Sequence, residues 1–222
     1  MTPDSVTAGV IFTAFKPAMK RVLCLFLLVI ACHAAAPAAR AETGPVAVIN
    51  ALHAILLQVM QNADQLGVQG RYDTLEPRLR ETYDFERMIA IAAGSHWANA
   101  GEAERAQLLT AFIRYSVATY ASRFVGYDGE QFAVQGERAG PRETILIDTT
   151  IQPRDAQPIP ITYVMRKRDT GDARVVDVLL EKAISELAVR RSDFAKILQD
   201  GGPPRLTQVL NERSDELLRG AP

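Results

Sequence analysis

The sequence predicts an α+β domain in which helices pack on one face of a curved, four-stranded antiparallel sheet. Three observations predict it. Apolar residues recur at helical spacing over residues 45–126 and again over 185–218. Between them, over 132–180, the period falls to two in four successive runs. The joining segments 138–142, 153–158 and 168–172 carry the Gly, Pro and Asp that turns require. Strands in the middle and helices at both ends make a meander that helices must cover.

Ahead of the domain, residues 1–41 read as a secretory signal peptide, which leaves 42–222 as a single domain. Lys20-Arg21 precede the apolar run VLCLFLLVIA, and a small-residue tract closes on Ala39-Arg40-Ala41. The run is too short for a stable membrane anchor. Met19 makes a more usual start for such a segment than Met1. Cleavage after Ala41 removes Cys24 and Cys32, so the mature chain is expected to be without disulfide or thiolate chemistry. The competing reading takes Val29-Ile30-Ala31-Cys32 as a lipobox with Cys32 lipidated. Cleavage leaves 21 basic against 25 acidic residues, a net charge of −4, which argues against a nucleic-acid partner. A hydrophobic content of 48% in 222 residues suits one globular core.

Taken in order, the first helix starts at Pro45 and lines up Ile49, Leu52, Leu56, Val59, Ala63 and Leu66, with Gly67 past its end. His53 falls near that stripe and reads as a satisfied core or boundary histidine, since no second His or Cys stands at metal spacing. A helical segment from about Leu75 to Thr82 leads to Asp84, the N-cap of a helix over 85–93 that Gly94 closes. Ser95-His96-Trp97 is a connector, with Trp97 a packing anchor or a substrate contact. Asn99 with Glu102 opens a long helix that runs to Gly126. Leu109, Phe112, Ile113, Tyr115, Ser116, Tyr120 and Phe124 make its face wide enough to fill a core or to line a cavity.

The strands follow with Phe132 and Val134, then Ile145, Ile147, Thr149 and Ile151, then Ile159, Ile161, Tyr163 and Met165. In the last strand Val175, Val176, Val178, Leu179 and Leu180 leave almost no polar face, which predicts a central strand covered on both sides. Ser185 is a plausible N-cap for a helix that Gly201-Gly202 stop, and Pro203-Pro204 open a last helix to about Leu218.

Catalytic constellations are scarce. There is no Gly-rich phosphate loop, no G-x-S-x-G elbow, and only His53 and His96 beyond the signal segment. Asp148 and Asp177 lie on strands and could share a cavity wall as acid and base, although pairing with Arg or facing solvent is the commoner fate of such residues. A small α+β hydrolase or isomerase using these two, or a non-catalytic adaptor with a filled core, are the alternatives to a binding protein.

The segment DVLLExxISELAVRRSDFxxILxxGG, over 177–202, resembles the C-terminal signature of the periplasmic phospholipid-binding, toluene-tolerance (MlaC-like) family, and within it the hopanoid-biosynthesis-associated (HpnM-like) branch. The likeness continues through YDFERMIAIAAGSHW, ERAQLLTAFIRYSVATYASRF and ITYVMR and covers about Val46 to Leu210. Ala173 stands where the family usually has Trp, and Lys182 where it usually has Gly. The resemblance implies a monomeric periplasmic lipid carrier, without cofactor or metal, that holds a phospholipid or hopanoid in an apolar cavity between helices and sheet. It further implies exchange with an inner-membrane lipid transporter of the ABC class and an outer-membrane lipoprotein or porin complex, in the upkeep of outer-membrane lipid asymmetry. The residues expected on the cavity wall are Trp97, Leu109, Phe112, Ile113, Tyr115, Ser116, Tyr120, Phe124, Ile145, Ile147, Tyr163, Met165, Val176, Val178, Leu180 and Ile184. Arg190 and Arg191 are expected at a docking or headgroup rim, because guanidinium groups suit carboxylates and phosphates.

Overall fold

A computed structural model describes residues 44–181 and 183–220. The expected signal peptide, its cysteines, the cleavage point after Ala41 and the Lys182 departure lie outside those residues. Helix α1 (Pro45–Gln61) has its proline in the first turn and buries Ile49, Leu52, Leu56 and Val59 as one stripe. The stripe predicted to reach Leu66 is cut at Asn62, where α1 ends and α2 (Ala63–Thr82) begins. Gly67, at φ 58° and ψ −178°, breaks α2 again, so the helix thought to start near Leu75 already starts at 68. Two glycines and a polar run hid this start, since only Arg71, Leu75, Leu79 and Thr82 are buried along it.

Local chemistry explains α3 (Phe85–Ala93) closely. The Asp84 carboxylate accepts the Arg87 N–H at 3.1 Å, and Gly94 takes the positive φ, 55°, that ends the helix. Residues 95–97 form the start of a five-residue helix, α4 (Ser95–Asn99), where a connector was expected. The long helix α5 (Glu102–Arg123) starts from Gly101, two residues beyond the predicted Asn99 cap. Glu104 supplies the closing contact by accepting the Gly101 N–H at 3.1 Å.

Strands β1 (Gln131–Ala139), β2 (Ile145–Gln152), β3 (Ile159–Lys167) and β4 (Ala173–Leu180) form the expected antiparallel meander, and β5 (Ile184–Ser185) adds a short fifth strand. Arg138, placed by its sequence in a turn, is the penultimate residue of β1 and reaches across to Asp148 on β2 at 2.7 Å. Register shifts at Val134/Gly136 and Val164/Met165 interrupt the ladder, and such bulges increase local twist and bend strands. Strand β4 is not central, as its apolar run suggested. Only β5 lies beyond it, and the rest of that edge is taken by Tyr83 and Asp84, whose N–H donates to the Val175 carbonyl at 2.9 Å. Cover at the margin, not a neighbour on each side, is what keeps Val175, Val176 and Val178 buried.

The chain ends in α6 (Glu186–Arg219), capped by Ser185, whose hydroxyl accepts the Ala188 N–H at 2.9 Å. Gly201 and Gly202 break α6 as expected, and Pro203-Pro204 restart it. Helices α1, α2, α3 and α6 touch the strands directly, whereas α5 packs mainly on α2, α3 and α6. A helix braced by other helices can stand off from the sheet. That stand-off makes room for a cavity.

Candidate functional site: an apolar cavity

A cavity of about 250 Å³ lies between α5 and the sheet. The sheet wall is apolar: Phe132, Ile151, Ile159, Ile161, Val178 and Leu180, with Tyr163 among them. Ser116, Thr119, Tyr120, Arg123 and Phe124, at helical spacing on the last turns of α5, form the facing wall. Leu56, Tyr83, Phe85 and Met88 close one side, and Glu186 and Arg190 of α6 border it. Ile159, 44% exposed, and the exposed Arg123 mark where the cavity opens to solvent.

Apart from the Tyr163 hydroxyl, the polar groups of the lining sit away from the sheet. The Tyr83 and Tyr120 hydroxyls hydrogen-bond each other. Burial raises the pKa of both, and the nearby Arg190 charge offsets part of that rise. Tyr163, raised by burial in the same way, meets the buried His53 Nε2 at 3.2 Å. Burial pulls His53 down to about 4, so the ring is neutral at pH 7. Thr119 donates its hydroxyl to the Tyr115 carbonyl at 2.7 Å. Ser116, only 4% exposed, has no hydrogen-bond partner for its hydroxyl among the described residues.

Of the residues expected on the wall, Ser116, Tyr120, Phe124, Tyr163, Val178 and Leu180 are there, and so is Arg190. Phe112, Ile147 and Met165 are not on it; each is fully buried in the core. Period two placed Ile147 and Met165 on the correct face but says nothing of depth along a strand. Cross-strand rows show the depth: Ile151 pairs with Ile159, Ile161 with Leu180 and Tyr163 with Val178 along the cavity, while Met165 pairs with Ile145 and Val175 in the packed end. Ile145 is accordingly half-buried against the core, and Val176 falls in the β3–β4 bulge. Leu109 and Ile113 border a separate shallow cleft beside Arg80 and Arg174. Tyr115 faces a groove with Val68 and Leu217. Trp97 packs half-buried on the core away from the cavity, Ile184 is 49% exposed on β5, and Arg191 is exposed.

Sequence reasoning missed Leu56, Tyr83, Phe85, Met88, Thr119, Arg123, Phe132, Ile151, Ile159, Ile161 and Glu186 as wall residues. Ile151, Ile159 and Ile161 carried a usable signal, the same period-two face as Tyr163. Tyr83, Phe85 and Met88 carried none, since they flank a helix cap far away in the chain.

The two carboxylates weighed as an acid–base pair do not face the cavity. Asp148 pairs with Thr162 and Asp177 with Val164, which puts both on the sheet face opposite Tyr163. Asp148 accepts from Arg138 and, at 2.6 Å, from the Thr162 hydroxyl. Asp177 accepts from the Ser185 hydroxyl at 2.6 Å and the Leu187 N–H at 3.0 Å, fastening the start of α6. Among the described residues no group of three or more His, Cys, Asp or Glu could hold a metal ion.

A helix-braced antiparallel sheet enclosing an apolar cavity is the build of a small binding domain. The model of the MlaC protein family matches residues 50–212, and the chain belongs to that family. In fold the chain is similar to a phospholipid-binding protein from Ralstonia solanacearum, solved in complex with a phospholipid. The TM-score is 0.68 at 20% identity, covering 79% of this chain and 99% of that one.

Proposed function

We propose that this protein is a periplasmic carrier that holds a lipid in the cavity between α5 and the sheet and moves it between inner-membrane and outer-membrane transport complexes. The observation that carries the reading is the cavity itself, about 250 Å³ with an apolar sheet wall and an opening at Ile159 and Arg123. Membership of the MlaC family and a structural neighbour described as phospholipid-binding support it. Burial of an acyl chain is worth roughly 0.8 kcal/mol per methylene, so a chain of about fifteen carbons draws on the order of 12 kcal/mol from such contact. Pockets that enclose drug-sized ligands run to roughly 300–1,000 Å³, so this one takes part of a lipid and leaves the remainder at the mouth. The periplasmic setting rests on the signal pattern of residues 1–41, and hopanoid as an alternative cargo to phospholipid rests on the HpnM-like resemblance.

Secretion of the full chain into a bacterial periplasm, followed by native mass spectrometry, tests the reading. The expected result is a protein starting at Glu42 with a lipid that organic extraction releases. A protein that carries no lipid and takes none from vesicles overturns the carrier, and an acylated Cys32 overturns the soluble periplasmic form.

A further inference from the structure

We infer that the α5–α6 wall of the cavity is a subsite for the phosphate or carboxylate of an anionic lipid, built on Arg190, Ser116 and the Tyr83–Tyr120 hydroxyl pair. The inference rests on the carrier reading and names the chemical class of its cargo. Arg190 is half-buried, and its guanidinium lies 5.6 Å from the Phe112 ring centroid and 5.3 Å from that of Tyr115. A cation over ring faces is held by the rings without using its N–H donors. Those donors have no hydrogen-bond or ion-pair partner among the described residues, although Glu186 stands one turn earlier on the same helix. An unpaired, half-buried guanidinium against a cavity is a standing site for a bidentate oxyanion.

Ser116 is the second, independent observation. It follows Phe112, over whose ring the Arg190 guanidinium lies, by one helical turn, and it lines the same cavity as Arg190. Buried hydroxyls are nearly always paired, and this one lines the cavity without a partner among the described residues. Tyr120, one further turn along α5, brings the Tyr83–Tyr120 pair to the same wall. The charged residues of the lining are Arg123, Arg190 and Glu186, which leaves the site one positive charge in excess. Glu186 repels a bound oxyanion, so the anion is held at Arg190 and away from the first turn of α6. Facing this wall, Ile151, Ile161 and Leu180 offer only hydrocarbon. A wholly neutral polycyclic ligand would fill the apolar side and leave Arg190 and Ser116 without partners, which selects against it.

Equilibrium binding of 1-oleoyl lysophosphatidic acid, oleate and 1-monoolein to the secreted protein tests this, since the three share one chain and differ in the head. The expected result is that at least one anion binds about tenfold or more tightly than monoolein. R190M should shrink that ratio to within about twofold, R190K, which keeps the charge but not the bidentate edge, should keep only part of it, and S116A should lower it a few-fold. The tighter of the two anions identifies phosphate or carboxylate as the group read. Wild-type protein that binds monoolein or a neutral hopanoid as tightly as the anions overturns the subsite. Equal weakening of all three lipids by R190M also overturns it, because Arg190 is then only wall. Binding of none of them removes the carrier reading, and the subsite with it.

Discussion

His53 Nε2 lies 3.2 Å from the Tyr163 hydroxyl and so joins α1 to β3 across 110 residues of chain. The imidazole stacks on Phe132 at 4.7 Å, and burial lowers its pKa from 6.5 to about 4. The unfolded chain takes up a proton near the ordinary value, whereas the folded chain resists until about pH 4, so between these values the unfolded state binds more protons. Stability from this group is therefore complete above pH 6.5 and is lost as the pH falls towards 4. Urea unfolding should show about 2 kcal/mol less stability at pH 5 than at pH 7.5 from His53 alone. His53→Phe keeps a ring in place and should remove that component. The same pH slope in both proteins would clear His53 of it.

Asp177 ties the end of β4 to the start of α6 by accepting from Ser185, Leu187 and its neighbour Val178. Asp177→Ala leaves the Leu187 N–H unmatched beside a helix N-terminus and should cost about 2 kcal/mol in chemical denaturation. Ser185→Ala, which loses the Ala188 cap, should cost about 1 kcal/mol. A catalytic Asp177 would behave differently, with little loss of stability on substitution.

Where a feature is local, the chain spells it out. Asp84 and Gly94 bound α3 as their residue types require, and the alternation of Ile145–Ile151 and Ile159–Met165 sets out β2 and β3. Gly101 offers no side chain to announce the start of α5, so Asn99 looked the better cap. Gly67 and Gly70 masked the early turns of α2. The cavity was legible only as a surplus of apolar residues, because its depth depends on α5 leaning on α2, α3 and α6, a relation among distant elements. Arg190 and Arg191 were expected together at a docking or headgroup rim, and the sequence did not separate them. The position of the Arg190 guanidinium over the Phe112 and Tyr115 rings is a tertiary fact that adjacent arginines in a helix do not reveal.

Cavity wall and core should separate cleanly under a charge. Ile147 is fully buried, and Ile147→Asp or Phe112→Asp places a carboxylate where no water reaches, at a cost of several kcal/mol that should leave little folded protein. Ile159 is 44% exposed at the opening, so Ile159→Asp should stay folded, with less than about 1 kcal/mol lost, while its lipid occupancy in native mass spectra falls. Full occupancy in Ile159→Asp would put the lipid elsewhere.

Arg191 is exposed where Arg190 is half-buried, so the two adjacent arginines should fail in different ways. A charge held in solvent acts on encounter, and its influence reaches about 10 Å at 0.1 M salt but only about 3 Å at 1 M. Arg191→Glu should therefore slow delivery of a fluorescent lipid to phosphatidylglycerol vesicles by roughly threefold at low salt, with the deficit closing as salt rises. Its unfolding free energy should move by less than about 0.5 kcal/mol, since Arg191 has no ion pair among the described residues to lose. Arg190→Glu reverses the charge inside the cavity, so it should weaken retention of an anionic lipid at every salt concentration, through faster release. Stopped-flow transfer at two ionic strengths reads both effects. Identical salt dependence in the two variants would mean that both arginines act as one solvated patch, and unchanged transfer in Arg191→Glu would remove this face of α6 as a docking surface.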